Sequence, residues 1–138
     1  MAKSLLTLEI YLMGRDKLYP LEVTAEVLDN AKILIQRVNK LLTELKIDDI
    51  KISSGWRPAV VNSATPNAAK KSNHMLGAAV DLVDDKNQSL CNKLKTDTSL
   101  LERHQLWMED PDSTKGKYTN WTHLQIFPPK SKKLIFKP

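Results

Sequence analysis

Residues 72–83 read Ser72-Asn73-His74-Met75-Leu76-Gly77-Ala78-Ala79-Val80-Asp81-Leu82-Val83, a polar turn that runs through a glycine into a short apolar stretch. The run Ala78–Val83 has the length and content of a strand, and Asp84-Asp85-Lys86-Asn87 closes it as a turn. Side chains alternate faces along a strand, so Ala79, Asp81 and Val83 share one face and Val80 and Leu82 the other. Asp81 is thus a carboxylate among apolar neighbours, which is costly unless a cation or strong donors meet it. His74 stands just before the glycine turn, seven residues ahead of Asp81.

Upstream, Val27, Ala31, Leu34, Val38, Leu41 and Leu45 recur at steps of four and three, which predicts one apolar helix face over Thr24–Leu45. Thr24 is the expected N-cap and Glu26 suits the first turn. Asp49–Trp56 alternates and predicts a strand, Pro58–Ser63 a short helix, and Ala64–Asn73 a polar loop. Downstream, one or two helices are expected over Ser89–His104, a strand over Leu106–Glu109, a turn over Asp110–Lys117 and a strand over Trp121–Phe127. Pro128-Pro129 stops that strand, and a basic tail ends the chain. No repeat is present. The order predicts an α+β domain in which a small antiparallel sheet is flanked by helices.

The 138 residues suit one domain spanning 1–138. Apolar residues make up 41%, enough for a core, and charged residues an ordinary 27%. No apolar run approaches the ~18 residues of a membrane span. The opening stretch, interrupted by Glu9, has no small-residue cleavage site and is not read as a signal peptide. Synthesis in the cytoplasm follows as an expectation. The single cysteine, Cys91, excludes an internal disulfide and a multi-thiolate zinc site, so any metal would need mainly His and carboxylate ligands. The net charge of +5 favours an acidic partner. Arginines are few and no aromatic stacking platform is evident, so a nucleic-acid partner is not expected.

The second informative segment is Trp121-Thr122-His123-Leu124-Gln125-Ile126. Trp121, His123 and Gln125 share one face of this strand, and Thr122, Leu124 and Ile126 form the core side. Two histidines and an aspartate can supply three ligands to zinc, leaving a fourth position for water whose pKa then falls toward ~7. Spacing alone fits equally well with His74 capping a turn, Asp81 pairing with a lysine and His123 being satisfied within its strand.

The segment Ser53–Gln125 resembles the zinc D-alanyl-D-alanine carboxypeptidases, a family that shares its fold with the hedgehog signalling domain. Three motifs carry the resemblance: Ser72-x-His74-x-x-Gly77-x-Ala79-x-Asp81, Trp121-x-His123, and Ser54-Gly55-Trp56-Arg57-Pro58. Tyr11–Asp16, Leu106–Glu109 and Pro128-Pro129 with the basic tail are similar to phage and prophage lysis members. The resemblance implies that His74, Asp81 and His123 hold zinc, that Arg57 stabilises charge on the scissile carbonyl, and that Ser72, Trp121 and Gln125 contact substrate. One position departs from the family: where many members carry a glutamate base three residues before the second histidine, this chain has Asn120. Glu109 is the expected substitute, brought across the Asp110–Lys117 turn by strand pairing, with Asp110 and Asp112 behind it.

The implied function is zinc-dependent hydrolysis of an amide bond in the stem or cross-link peptide of peptidoglycan. A carboxypeptidase-like or L-alanyl-D-glutamate endopeptidase-like activity would fit, in a phage or prophage lysis enzyme. The alternative is a zinc-containing wall-binding module without catalysis. A monomer is expected, acting on the wall once another factor opens the membrane. His104 is expected as a solvated cation at a helix C-terminus, and Cys91 as a small apolar residue.

Overall fold

The computed structural model describes residues 5–138; the first four residues of the opening stretch lie outside the described part. Two short helices come first, α1 (Leu8–Leu12) and α2 (Arg15–Leu18), then a 3-10 turn at Pro20–Glu22. The Thr7 hydroxyl caps α1 by accepting the Ile10 N–H. These helices are absent from the order expected from sequence, because four or five residues cannot display a helical period.

Helix α3 (Ala25–Glu44) is the expected scaffold helix, with the Thr24 hydroxyl accepting the Val27 N–H at 3.2 Å. It buries Val27, Ala31, Leu34, Val38, Leu41 and Leu42. Leu42 joins the expected stripe, whereas Leu45 becomes the C-cap and is only partly buried. Each fully buried aliphatic side chain contributes about 1.5–3 kcal/mol, so packing rather than helix propensity holds this element. Asn39 ties α3 to the chain start, its amide bonding both the N–H and the C=O of Leu6.

The remaining elements are β1 (Ile52–Ser54), α4 (Ala59–Ala64), β2 (Ala79–Asp84), α5 (Ser89–Thr96), α6 (Ser99–Arg103), β3 (Trp107–Glu109), β4 (Asn120–Gln125) and β5 (Ile135–Phe136). The strands form one sheet in the order β1-β2-β4-β3-β5. Every neighbouring pair is antiparallel except β3 and β5, which run parallel. The fold is α+β, as expected. Val80 and Leu82 of β2, Leu124 of β4 and Met108 of β3 enter the same core cluster as the α3 stripe. The opposite face of those strands carries Asp81, His123 and Glu109.

Three expectations change. β1 is shorter than the predicted Asp49–Trp56: it pairs with β2 at Ile52 and Ser54, with a register shift between them, and beyond it the Trp56 N–H goes to the Tyr11 carbonyl of α1. The tail is not merely basic: Ile135 pairs with Met108 and Phe136 with Glu109, adding a fifth strand. His104 is not solvated as expected, since its Nε2 lies 2.9 Å from Glu44 Oε1 and its side chain is 13% exposed. Arg103 also pairs with Glu44, so this cluster fastens the end of α6 to the end of α3.

Candidate metal centre

One row across the sheet builds the site. Ser54 pairs with Asp81 and Asp81 with His123. The β3–β4 register, Trp107 to Gln125 and Met108 to Leu124, brings Glu109 level with His123, and Phe136 stands beside Glu109. Five strands thus place Ser54, Asp81, His123, Glu109 and Phe136 in line.

His74 joins this row from the turn before β2. Ser72 Oγ accepts the His74 N–H at 3.1 Å and fixes the start of the turn. Gly77 completes it at φ 74, where a Cβ would come within 2.5 Å of the Val27 carbonyl oxygen of α3. Only glycine meets both demands. The His74 Nδ1 proton is directed to the Gly55 carbonyl oxygen, 2.8 Å away, which turns Nε2 toward Asp81 Oδ1 at 3.3 Å.

His123 is oriented the same way with its nitrogens exchanged. Its Nε2 donates to Gln125 Oε1 at 2.7 Å, and its Nδ1 faces Asp81 Oδ1 at 2.9 Å. Gln125 is held in turn by donating from Nε2 to the Phe127 carbonyl. Phe136 meets the His123 ring edge-on, with centroids 6.0 Å apart. His74 Nε2, Asp81 Oδ1 and His123 Nδ1 therefore converge, and His74, Asp81 and His123 each offer a ligand atom within 4.8 Å of the others.

These residues fit zinc. Ligands at ~2.0–2.2 Å around a tetrahedral ion stand roughly 3.5 Å apart, close to the contacts seen here. In each histidine the outer nitrogen is bonded to an oxygen, which selects the tautomer and leaves the inner nitrogen as donor. Burial pushes the His74 pKa down despite the nearby Asp81, favouring the neutral ligand form. Burial alone would raise the Asp81 pKa, but His74 and His123 outweigh it and hold the carboxylate well below its ordinary range. For His123 burial is outweighed by Asp81, Glu109 and Gln125, which raise its pKa.

Arg57 lies beside this centre, buried rather than in a surface pair. Its Nε donates to Ser54 Oγ at 3.0 Å and its Nη2 to Asp81 Oδ2 at 3.3 Å. Burial pushes its pKa down, opposed by Asp81. Glu109 Oε2 is 3.9 Å from His123 Nδ1. Burial raises the Glu109 pKa, partly offset by His123. Trp121 is partly exposed on the same face, two residues from His123. Asn120 lies on the opposite strand parity, and its amide donates to the Asp85 and Lys86 carbonyls. A side chain at that position of this strand does not face the centre. The Gly55 carbonyl and the Phe136 ring were not singled out from sequence, since a backbone oxygen and a two-residue strand leave no motif, and Ser54 was quoted within the arginine motif without a role.

Two histidines and an aspartate converging on one face of the sheet, flanked by a buried arginine and a partly buried glutamate, have the composition of a metal-dependent hydrolase site. A family model described as Peptidase M15 matches residues 20–125, and the chain belongs to that family of zinc-dependent metallopeptidases. No curated protein matches it.

Proposed function

We propose that this protein is a zinc peptidase that hydrolyses an amide bond in the stem or cross-link peptide of peptidoglycan, and that it serves in wall lysis. The observation that carries the reading is the convergence of His74 Nε2, Asp81 Oδ1 and His123 Nδ1, with Glu109 and Arg57 at its edge. The net charge of +5 suits an anionic wall. Zinc held by these three residues would act as a Lewis acid on the scissile carbonyl and make water a stronger acid.

The chain's own groups do the rest. Glu109 takes a proton from the attacking water and delivers it to the leaving amine, a role suited to a carboxylate whose pKa is raised by burial. Arg57, with Nε and Nη2 anchored, presents its remaining N–H groups to the charge that develops on the carbonyl oxygen. The two histidines keep their orientation through the Gly55 carbonyl and Gln125. Trp121 lines the approach as the substrate contact. Ser72 Oγ accepts the His74 N–H and keeps its own O–H for the substrate contact, while both ends of Gln125 are engaged within the protein, which orients His123.

Digestion of purified peptidoglycan with and without a chelator tests the proposal. Chelator-sensitive release of peptide fragments is expected, and the fragment masses name the bond cut. No fragments from a folded, zinc-loaded sample would overturn the peptidase reading.

A further inference from the structure

The arginine segment is held from outside the region that the family model matches. That region begins at residue 20, whereas the N-terminal helices end at Leu18. Gly55 lies so close to α1 that a Cβ there would come within 2.0 Å of the Tyr11 carbonyl oxygen. The same oxygen accepts the Trp56 N–H at 3.1 Å, and the Tyr11 hydroxyl donates to the Ala79 carbonyl at 2.8 Å. Arg15 closes the arrangement, donating from Nη1 to the Trp56 carbonyl oxygen at 2.7 Å. The residues on either side of that carbonyl are the ones the site depends on. Gly55 O orients His74, and the Arg57 N–H donates to the His74 carbonyl at 3.1 Å.

Arg15 is an unusual choice for such a bond. Among the described residues no ion pair includes it. Burial and then the like charge of Arg57 both lower its pKa. A cation kept partly buried near another cation, with no carboxylate partner, has the Trp56 carbonyl as its identified partner. A charge-assisted bond to a single peptide carbonyl fixes that peptide's plane more strongly than a neutral donor does. The planes of 55–56 and 56–57 aim the Gly55 carbonyl at His74 and set the start of the Arg57 side chain.

We propose that Arg15 is a positioning residue, holding the Gly55–Arg57 segment through the Trp56 carbonyl so that Arg57 and His74 keep their orientation. The proposal gives the N-terminal helices a part in the site. Its kinetic consequence rests on the peptidase reading; its structural consequence does not. Loss of partners that orient a metal site costs about 10–100-fold in activity or metal affinity.

The test uses the full chain loaded with zinc, as Arg15→Gln and Arg15→Lys. Three quantities are read: amide exchange at Trp56 and Arg57, zinc affinity by competition with a chromogenic chelator, and kcat and KM on wall peptide. Arg15→Gln is expected to speed exchange at these two amides while protection in α3 holds. It is also expected to lower kcat about 10–100-fold with KM changed less than about twofold. Arg15→Lys keeps a charged donor and is expected to recover most of the loss. Unchanged exchange at Trp56 and Arg57 in Arg15→Gln overturns the proposal, as does a kcat within twofold of wild type in a protein that turns over. If wild type shows no turnover, the peptidase reading has failed, and exchange and zinc affinity still decide the role of Arg15. If Arg15→Gln does not fold, Arg15→Met, which keeps an unbranched apolar stem and removes the donor, decides: site exchange and zinc affinity both at wild-type values with only a lower Tm would reduce Arg15 to a stability residue and overturn the inference.

Discussion

Replacing Glu109 by glutamine keeps the side chain's size and removes its capacity to accept a proton. The three side chains close enough to hold a metal are His74, Asp81 and His123, so Glu109→Gln is expected to retain zinc at wild-type stoichiometry. Its kcat is expected to fall by at least about 100-fold, the scale of general acid–base catalysis. Metal analysis and fragment release measured on one sample check both halves, and near-wild-type turnover would remove Glu109 from the chemistry. Its place beside His123 was legible because the resemblance left Asn120 where a glutamate is usual and strand pairing across the turn pointed to Glu109. The partners that orient the histidines were less so: the bond from His123 to Gln125 was not foreseen, and nothing in a sequence marks the Gly55 carbonyl. Cys91 offers a second measurement. Burial pushes its thiol up from 9.0 to about 11, eased by the Thr122 and Thr114 hydroxyls and reinforced by Asp84. The folded state therefore favours the protonated thiol. That contribution to stability is whole below pH 9 and is lost as pH rises through about 11. The stability difference between wild type and Cys91→Ala should shrink over that interval, and native Cys91 should alkylate roughly 100-fold more slowly at pH 8 than in urea. A pH-independent difference together with fast native alkylation would contradict the burial argument.

Helix α3 carries its information in its own period, which is why the sequence placed both its ends and its N-cap. Leu34 is fully buried, so Leu34→Ala should cost about 2–5 kcal/mol in urea denaturation. Thr24→Ala removes the acceptor for the Val27 N–H and should cost about 1 kcal/mol. Exposed Lys40→Ala should stay within about 0.5 kcal/mol. A Leu34→Ala cost no greater than that of Lys40→Ala would mean that the stripe does not hold the helix. Elements without a period were harder to read. β5 has two residues and exists because its backbone continues the ladder of β3, with the Asp110 N–H donating to the Phe136 carbonyl at 2.7 Å. β1 ends early because the Gly55–Trp56 backbone turns to α1 instead of to β2. Both facts depend on pairing between distant segments, which a local pattern does not record.

At the scale of the molecule, the centre joins pieces of chain that are far apart in sequence. His74 comes from a loop, Asp81 from β2 and His123 from β4, while their orienting groups sit at Gly55 and Gln125. Unfolding separates all of them, so an ion bound by the three ligands stabilises the native state and has little hold on the unfolded chain. Stability should then rise by RT ln(1 + [Zn]/Kd), about 2.7 kcal/mol at one hundred times Kd. Above Kd the rise is about 1.4 kcal/mol for each decade of free zinc if one ion binds, and twice that if two bind. Thermal or urea unfolding in zinc buffers measures this slope directly. Wild type should show the single-ion slope and lose it on chelation, and Asp81→Asn should flatten or displace it by removing the one carboxylate among the three ligands. Glu109→Gln should keep the full slope, because its carboxylate stands 3.9 Å from His123 Nδ1 and is not among the ligands. A wild-type stability indifferent to zinc would mean that the convergence of these three side chains serves packing. A slope lost in Glu109→Gln would move that residue from the proton to the metal.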